Sequence, residues 1–253
     1  MKITDVKTFL LHPGAGKNLL FVKVETDAGI HGWGEAYTQS DRDKTVIAHI
    51  DEMARYIVGR DPMHIRHFRV WAYEDFATKR SAMDFWCAFS GIEIALWDIA
   101  GKVMDQPIYN LLGGPVRPHI RLYANGWSGG MSTPDEYAAG AVEVVKNGFT
   151  AMKFDPFPGP WRPWVDHSEL EDAAAIVGAI REAVGPRVEL LVEVHRRLAP
   201  MNAIAVGKLI EQYRPYWFEE PVPAHNVAGL REVRDAVNIP IVTGEALYSK
   251  DEF

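Results

Sequence analysis

The spacing of apolar residues along the chain changes character once, near residue 120. Before that point Ile3–Leu11 alternates loosely. Leu19–Thr26 reads Leu-Leu-Phe-Val-Lys-Val-Glu-Thr, Asp27-Ala28-Gly29 supplies a turn, and residues 30–36 form a return strand. The pattern predicts an antiparallel meander. Helical spacing follows over 43–58 and 82–104. In the second stretch Ala88, Ile92, Ile94, Ala95, Leu96, Ile99 and Ala100 predict a buried helix. Strands followed by helices make residues 1–118 an α+β unit.

From residue 119 to 253 strand and helix alternate. Strands are predicted at 121–126, 151–155, 188–194, 216–218 and 239–243. Thr133-Pro134-Asp135-Glu136 is a capping box with proline at the first helical position, and that helix stops at Gly148. Ser168 with Glu171 is expected to cap the next helix, which ends near Gly185; further helices are predicted at about 201–213 and 226–236. Repeated βα units with short apolar strands predict a parallel sheet covered on both faces. Five strands fit an open sheet or the first part of an eightfold barrel. On the barrel reading the remaining strands lie beyond Phe253, and residues 1–253 alone do not close it.

Composition narrows the function. The 253 residues carry 27 basic and 34 acidic side chains, a net charge of −7, which argues against nucleic acid and anionic membranes as partners. Cys87 is the only cysteine, so no internal disulfide forms and a reducing, cytoplasmic setting is expected. No apolar run approaches the ~18 residues of a membrane span, and Met1-Lys2-Ile3-Thr4-Asp5 leads into no signal core.

Acids at the predicted strand ends carry the chemistry. Glu193 closes Leu-Leu-Val-Glu, Glu219 lies in Trp-Phe-Glu-Glu-Pro 26 positions later, and Glu245 lies in Val-Thr-Gly-Glu-Ala a further 26 on. A single such acid commonly caps a helix or pairs with an arginine. Three at matched positions put carboxylates side by side on the rim where barrel active sites lie. They repel one another unless a cation joins them, and an all-oxygen donor set suits a hard ion such as Mg²⁺. Other motifs fail. Gly14-Ala15-Gly16-Lys17-Asn18 has Leu11 and Asn18 where a phosphate loop needs Gly and Ser/Thr. Gly29, Gly32 and Gly34 fall in a hairpin, not a strand-to-helix turn. His64-Ile65-Arg66-His67 lacks partner ligands for zinc. Trp161 and Trp164 are expected to pack in a Pro-rich loop, with a place over the pocket as the alternative.

Several segments together resemble one family. They are Gly32-Trp33-Gly34-Glu35; Ala95-Leu96-Trp97-Asp98-Ile99-Ala100-Gly101-Lys102; Leu111-Leu112-Gly113-Gly114; Lys153; Glu193; Phe218-Glu219-Glu220-Pro221; and Gly244-Glu245. With them the chain resembles the enolase superfamily, in its mandelate racemase/muconate lactonizing enzyme branch, and most the galactonate- and gluconate-type sugar-acid dehydratases. The resemblance implies a (β/α)₈ barrel, of which strands one to five fall in this chain, preceded by an α+β capping domain. It implies Mg²⁺ held by Glu193, Glu219 and Glu245, with Glu193 standing where Asp is frequent and Glu220 not carried over as a ligand. It also places a mobile specificity loop around residues 14–18.

The same resemblance bears on the bases. Members with a lysine base carry Lys-x-Lys after the second strand, whereas this chain has Lys153-Phe154-Asp155, which weakens a lysine-base racemase. His195, two residues after Glu193, resembles the histidine that protonates a leaving 3-hydroxyl; period-2 alternation puts both on one face. Lys153 is expected on the substrate carboxylate, and Asp155 to orient Lys153 or bind a substrate hydroxyl. Arg196 or Arg197 either contacts substrate or faces solvent. The expected protein is a homo-oligomeric carbon–oxygen lyase that removes the C2 proton of an aldonate or aldarate and eliminates the C3 hydroxyl, giving a 2-keto-3-deoxy acid. Its C2 base is expected beyond Phe253. The alternatives are a hydroxy-acid racemase or epimerase, a Schiff-base aldolase using Lys153, and a non-catalytic sugar-acid-binding homologue.

Overall fold

The structure is a computed structural model that describes residues 1–14, 16–38, 41–80, 82–157 and 165–253. Trp161 and Trp164 lie outside the described residues. The chain divides into two compact units, Met1–Pro118 and His119–Phe253.

In the first unit β1 (Ile3–Leu11), β2 (Leu19–Thr26) and β3 (His31–Ala36) form the expected antiparallel meander, in the order β1-β2-β3. Leu20, Val22 and Val24 point to one face and are fully buried. α1 (Asp43–Ile57), α2 (Ile65–Trp71) and α3 (Met83–Met104) supply the helical part of the unit. α3 packs against β3 so closely that a Cβ at Gly32 would fall on the Ala95 carbonyl, and one at Gly34 on the Gly91 carbonyl. Two polar ties fix the pairing: Trp33 N donates to Asp98 Oδ2 (2.8 Å), and Lys102 Nζ donates to the His31 carbonyl (2.8 Å). Ile94, expected to be buried, is instead 44% exposed, because the helix buries only the face toward the sheet and α1.

α2 was not legible in the hydropathy. It runs into a five-residue π turn, Ala72–Phe76, in which Ala77 N reaches back to the Ala72 carbonyl. His64 immediately precedes α2, and His67 lies within it beside Tyr56, whose ring stacks on Trp71 at 3.5 Å between centroids. The aromatic group Phe68, Phe85, Trp86 and Phe89 fills the space between α2 and α3. A short α4 (Ile108–Leu111) follows.

The second unit is built from α5 (Pro134–Lys146), β4 (Ala151–Phe154), α6 (His167–Val184), β5 (Glu189–Glu193), α7 (Pro200–Ile210), β6 (Trp217–Glu219), α8 (Val227–Ala236) and β7 (Ile241–Val242). The strands are parallel, in the order β4-β5-β6-β7. The strand expected at 121–126 is reduced to a single bridge, Ala124 to Met152, because Gly126 turns the chain at positive φ two residues later. The Thr133/Glu136 capping box forms as expected. The cap of α6 is not Ser168 with Glu171 but Asp166 with Glu169, the same chemistry two residues upstream.

Alternation along the strands separates two faces. Met152, Phe154, Leu190, Val192 and Phe218 pack against the helices. Lys153, Leu191, Glu193, Trp217 and Glu219 occupy the opposite face. The register pairs Lys153 with Leu191 and Glu193 with Glu219. Among the described residues no helix is long and apolar enough to cross a membrane.

Candidate metal and acid–base site

Glu193 ends β5 and Glu219 ends β6, directly opposite each other in register. Glu245 follows β7, past Gly244, whose φ of 133° lets the chain turn there. Donor oxygens of the three carboxylates lie within 4.8 Å of one another. Glu193 and Glu219 are buried, while the Glu245 side chain is 44% exposed.

The surroundings of the two buried acids are strongly polar. Lys153 Nζ donates to Glu193 Oε2 (3.0 Å) and Glu219 Oε1 (2.9 Å). The other oxygens accept from His195 N (2.8 Å, to Glu193) and Trp217 Nε1 (2.9 Å, to Glu219). Burial raises the Glu219 carboxyl above its ordinary range, and Glu193 adds to the rise while Lys153 opposes it. Burial works against the charge on Lys153, but its two carboxylate partners prevail and its pKa is raised, so the ammonium is held charged. Glu245 is met by Arg196, whose Nη1 donates to Oε1.

His195 reaches the site by a route other than strand alternation. β5 stops at Glu193, and His195 and Arg196 both have left-handed backbone, φ 50° and 63°. Alternation therefore does not set the direction of the ring. Its Nδ1 lies 2.7 Å from Asp155 Oδ2, beyond the end of β4. Asp155 Oδ1 accepts from Phe157 N (2.9 Å), and Arg197 Nη2 donates to the same Oδ2 as His195. Asp155 thus pairs with His195 and Arg197, and no bond joins it to Lys153 among the described residues. Arg197 is buried, its side chain 8% exposed, and also donates to the Val194 and Phe157 carbonyls. It does not face solvent.

The structure thus brings together Lys153, Glu193 and Glu219, and separately Asp155, His195 and Arg197, with Glu245 close to the first group. The three carboxylates fit a hard divalent cation: every donor is oxygen, and two of the acids are buried where their charges need neutralising. Sequence reasoning passed over Trp217, although period-2 spacing puts it beside Glu219. It left Arg197 open because its partner, Asp155, is 42 residues away.

This architecture, an α+β unit followed by parallel βα units with acids at the strand ends, is that of the enolase superfamily. The C-terminal model, enolase C-terminal domain-like, matches residues 136–253. The N-terminal domain model of mandelate racemase/muconate lactonizing enzyme matches residues 11–113. A solved member of the enolase superfamily from Salmonella Typhimurium superposes with a TM-score of 0.91 at 32% identity, over 99% of this chain and 69% of that one. A mandelate racemase/muconate lactonizing enzyme structure from Sulfitobacter gives 0.91 at 36% identity, over 100% and 68%. The chain belongs to the mandelate racemase/muconate lactonizing enzyme family of the enolase superfamily.

Among its curated relatives, the D-gluconate dehydratase of Thermoproteus tenax is 39% identical over 234 residues, which is 92% of this chain and 46% of the relative. The D-galactonate dehydratase of Pectobacterium atrosepticum is 37% identical over 255 residues, 100% of this chain and 64% of the relative. The chain therefore spans about half to two thirds of the length of these relatives.

Proposed function

We propose that the protein is a Mg²⁺-dependent sugar-acid dehydratase, a carbon–oxygen lyase acting on an aldonate or aldarate. The observation that carries this reading is the cluster of Glu193, Glu219 and Glu245 oxygens within 4.8 Å, with the Asp155–His195 pair beside it. The names of the gluconate and galactonate dehydratases support the substrate class.

Glu193, Glu219 and Glu245 hold the cation. Mg²⁺ bound there supplies positive charge where negative charge develops on the substrate carboxylate as the C2 proton leaves. Lys153, held charged, adds a second cation at the same rim and binds the substrate carboxylate. His195 donates the proton that the C3 hydroxyl needs to leave as water. Its Nδ1 faces Asp155, so the proton transferred is the one on Nε2. Abstraction at C2 is the work of another residue. Loss of the C2 proton and the C3 hydroxyl gives an enol that becomes a 2-keto-3-deoxy acid, and atoms balance as substrate minus one water. A homo-oligomeric cytoplasmic enzyme acting on a small molecule completes the proposal.

The test is a screen of aldonic and aldaric acids for 2-keto acid formation with Mg²⁺, using the whole protein. Turnover of gluconate, galactonate or a close epimer is the expected outcome. Absence of 2-keto acid from every member, with C2-epimerised acid as product, would replace the dehydratase by an epimerase.

A further inference from the structure

Glu220 is adjacent in sequence to Glu219 but takes no part in the chemistry proposed above. It is 1% exposed and has left-handed backbone, φ 49°. Its main chain ties two neighbouring strand ends together: Glu220 N donates to the Val242 carbonyl (2.8 Å), and the Glu220 carbonyl accepts from Arg196 N (2.7 Å). Its Oε1 accepts from Thr243 Oγ1 (3.0 Å) and Gly244 N (2.8 Å), which fixes the turn leading to Glu245.

The other carboxylate oxygen is the unusual one. Oε2 is buried and has no hydrogen-bond partner among the described residues. A buried carboxylate oxygen without a donor is costly, so its persistence calls for a reason. Its near neighbour is Arg196 Nη1, 3.9 Å away, and that nitrogen donates instead to Glu245 Oε1. One guanidinium thus stands between two carboxylates, bonded to the exposed one and just short of the buried one.

This matters because Glu245 Oε1 cannot serve Arg196 and a divalent cation equally. Two positive charges on one carboxylate repel, and the repulsion is greater near buried surroundings than in water. A cation taking Glu245 displaces the guanidinium, which then needs another anion within reach. Glu220 Oε2 is that anion. We infer that Arg196 and Glu220 are positioning residues for the third metal ligand: Glu220 Oε2 is the second seat of the Arg196 guanidinium, occupied when Glu245 turns to a divalent cation. The inference rests on the reading of Glu193, Glu219 and Glu245 as cation ligands.

Glu220→Gln tests it cleanly. The amide oxygen still accepts from Thr243 and Gly244, so the turn is kept while the charge is removed. Mn²⁺ binding, followed by electron paramagnetic resonance with Mg²⁺ as competitor on the whole protein, reads the effect without any turnover. Glu220→Gln is expected to raise the Mn²⁺ Kd roughly tenfold, the lower end of the usual range for residues that orient metal ligands. Arg196→Met in the same background removes the guanidinium that has lost its seat, and is expected to bring Kd back to within about threefold of wild type. A merely structural role for Glu220 predicts no such rescue. An unchanged Kd in Glu220→Gln, a double variant no better than the single one, or weaker binding in Arg196→Met alone would each overturn the inference. Glu219→Gln, measured alongside, separates the two levels. Wild-type Mn²⁺ affinity in that variant sinks the metal reading itself, whereas lost affinity there with no rescue in the Arg196→Met pair sinks only the role given to Arg196 and Glu220.

Discussion

The Nδ1 atom of His195 lies 2.7 Å from Oδ2 of Asp155, although the two residues follow different strands and are separated by 40 positions. This contact gives the imidazole a fixed direction that its own left-handed backbone does not ensure. Arg197 donates to the same oxygen and Phe157 N to the other, so the carboxylate is itself anchored before it orients the ring. A histidine held in this way has its ring direction fixed by its carboxylate partner.

If His195 is the acid for the departing hydroxyl, His195→Asn lowers dehydration by ~10²–10⁴-fold. Exchange of the C2 proton with deuterated solvent persists, because abstraction belongs to another group. Asp155→Asn, which keeps the shape but loses the carboxylate, is expected to lower kcat by a smaller factor with KM little changed. Parallel measurement of 2-keto acid release and of deuterium uptake at C2 checks both variants. Normal turnover in His195→Asn returns the histidine to a packing role.

The three clustered acids lead to the expectation of metal dependence. EDTA is expected to abolish activity and Mg²⁺ to restore it. Glu219→Gln removes one ligand charge and is expected to weaken Mg²⁺ binding by at least ~10-fold, measured by titration calorimetry. Full activity in EDTA would remove the cation from the mechanism.

Much of this arrangement is legible in the sequence because it depends on position along strands. The equal 26-residue steps place Glu193, Glu219 and Glu245 at successive strand ends without any tertiary information, and hydropathy recovers most elements to within a few residues. What hydropathy misses is set by contacts distant in sequence. The 121–126 segment looks like a strand, yet only Ala124 pairs, since Gly126 ends the extended run. Alternation along β5 puts His195 on the face of Glu193, but the strand has already ended and Asp155 places the ring. Arg196 and Arg197 are adjacent and chemically identical, and their fates diverge because one meets Glu245 and the other Asp155.

Glu93, on α3 of the first unit, gives a pH-dependent stability test. Burial raises its carboxyl above the ordinary range, with Arg69 opposing. The sign follows from proton linkage: the folded state holds this proton more tightly than the unfolded chain, so the destabilising contribution is full above the folded pKa. It fades as pH falls toward the unfolded value of about 4.3. Glu93→Gln is therefore expected to raise Tm at pH 7 and to lose that advantage near pH 4. Melting curves of the two proteins at both pH values decide it, and an advantage of equal size at both would assign the effect to packing rather than charge.

The Gly32-Trp33-Gly34-Glu35 segment offers a last test, because its glycines have a steric reason to be there. A Cβ on Gly34 would fall on the Gly91 carbonyl of α3, and that carbonyl belongs to a helix also held by Asp98 and Lys102, so it cannot move alone. Gly34→Ala must push α3 off the sheet. Overpacking of a rigid contact costs ~1–3 kcal/mol, which for a protein of this size lowers Tm by roughly 2–12 °C. The displacement also strains the bond from Trp33 N to Asp98, so the Trp33 amide is expected to exchange with solvent faster than in the wild type. Hydrogen exchange with residue resolution distinguishes this from a general loss of stability. Faster exchange confined to β3 and α3 supports the close contact, whereas an unchanged Tm and unchanged protection of Trp33 would mean that the helix does not ride on the strand as closely as these glycines allow.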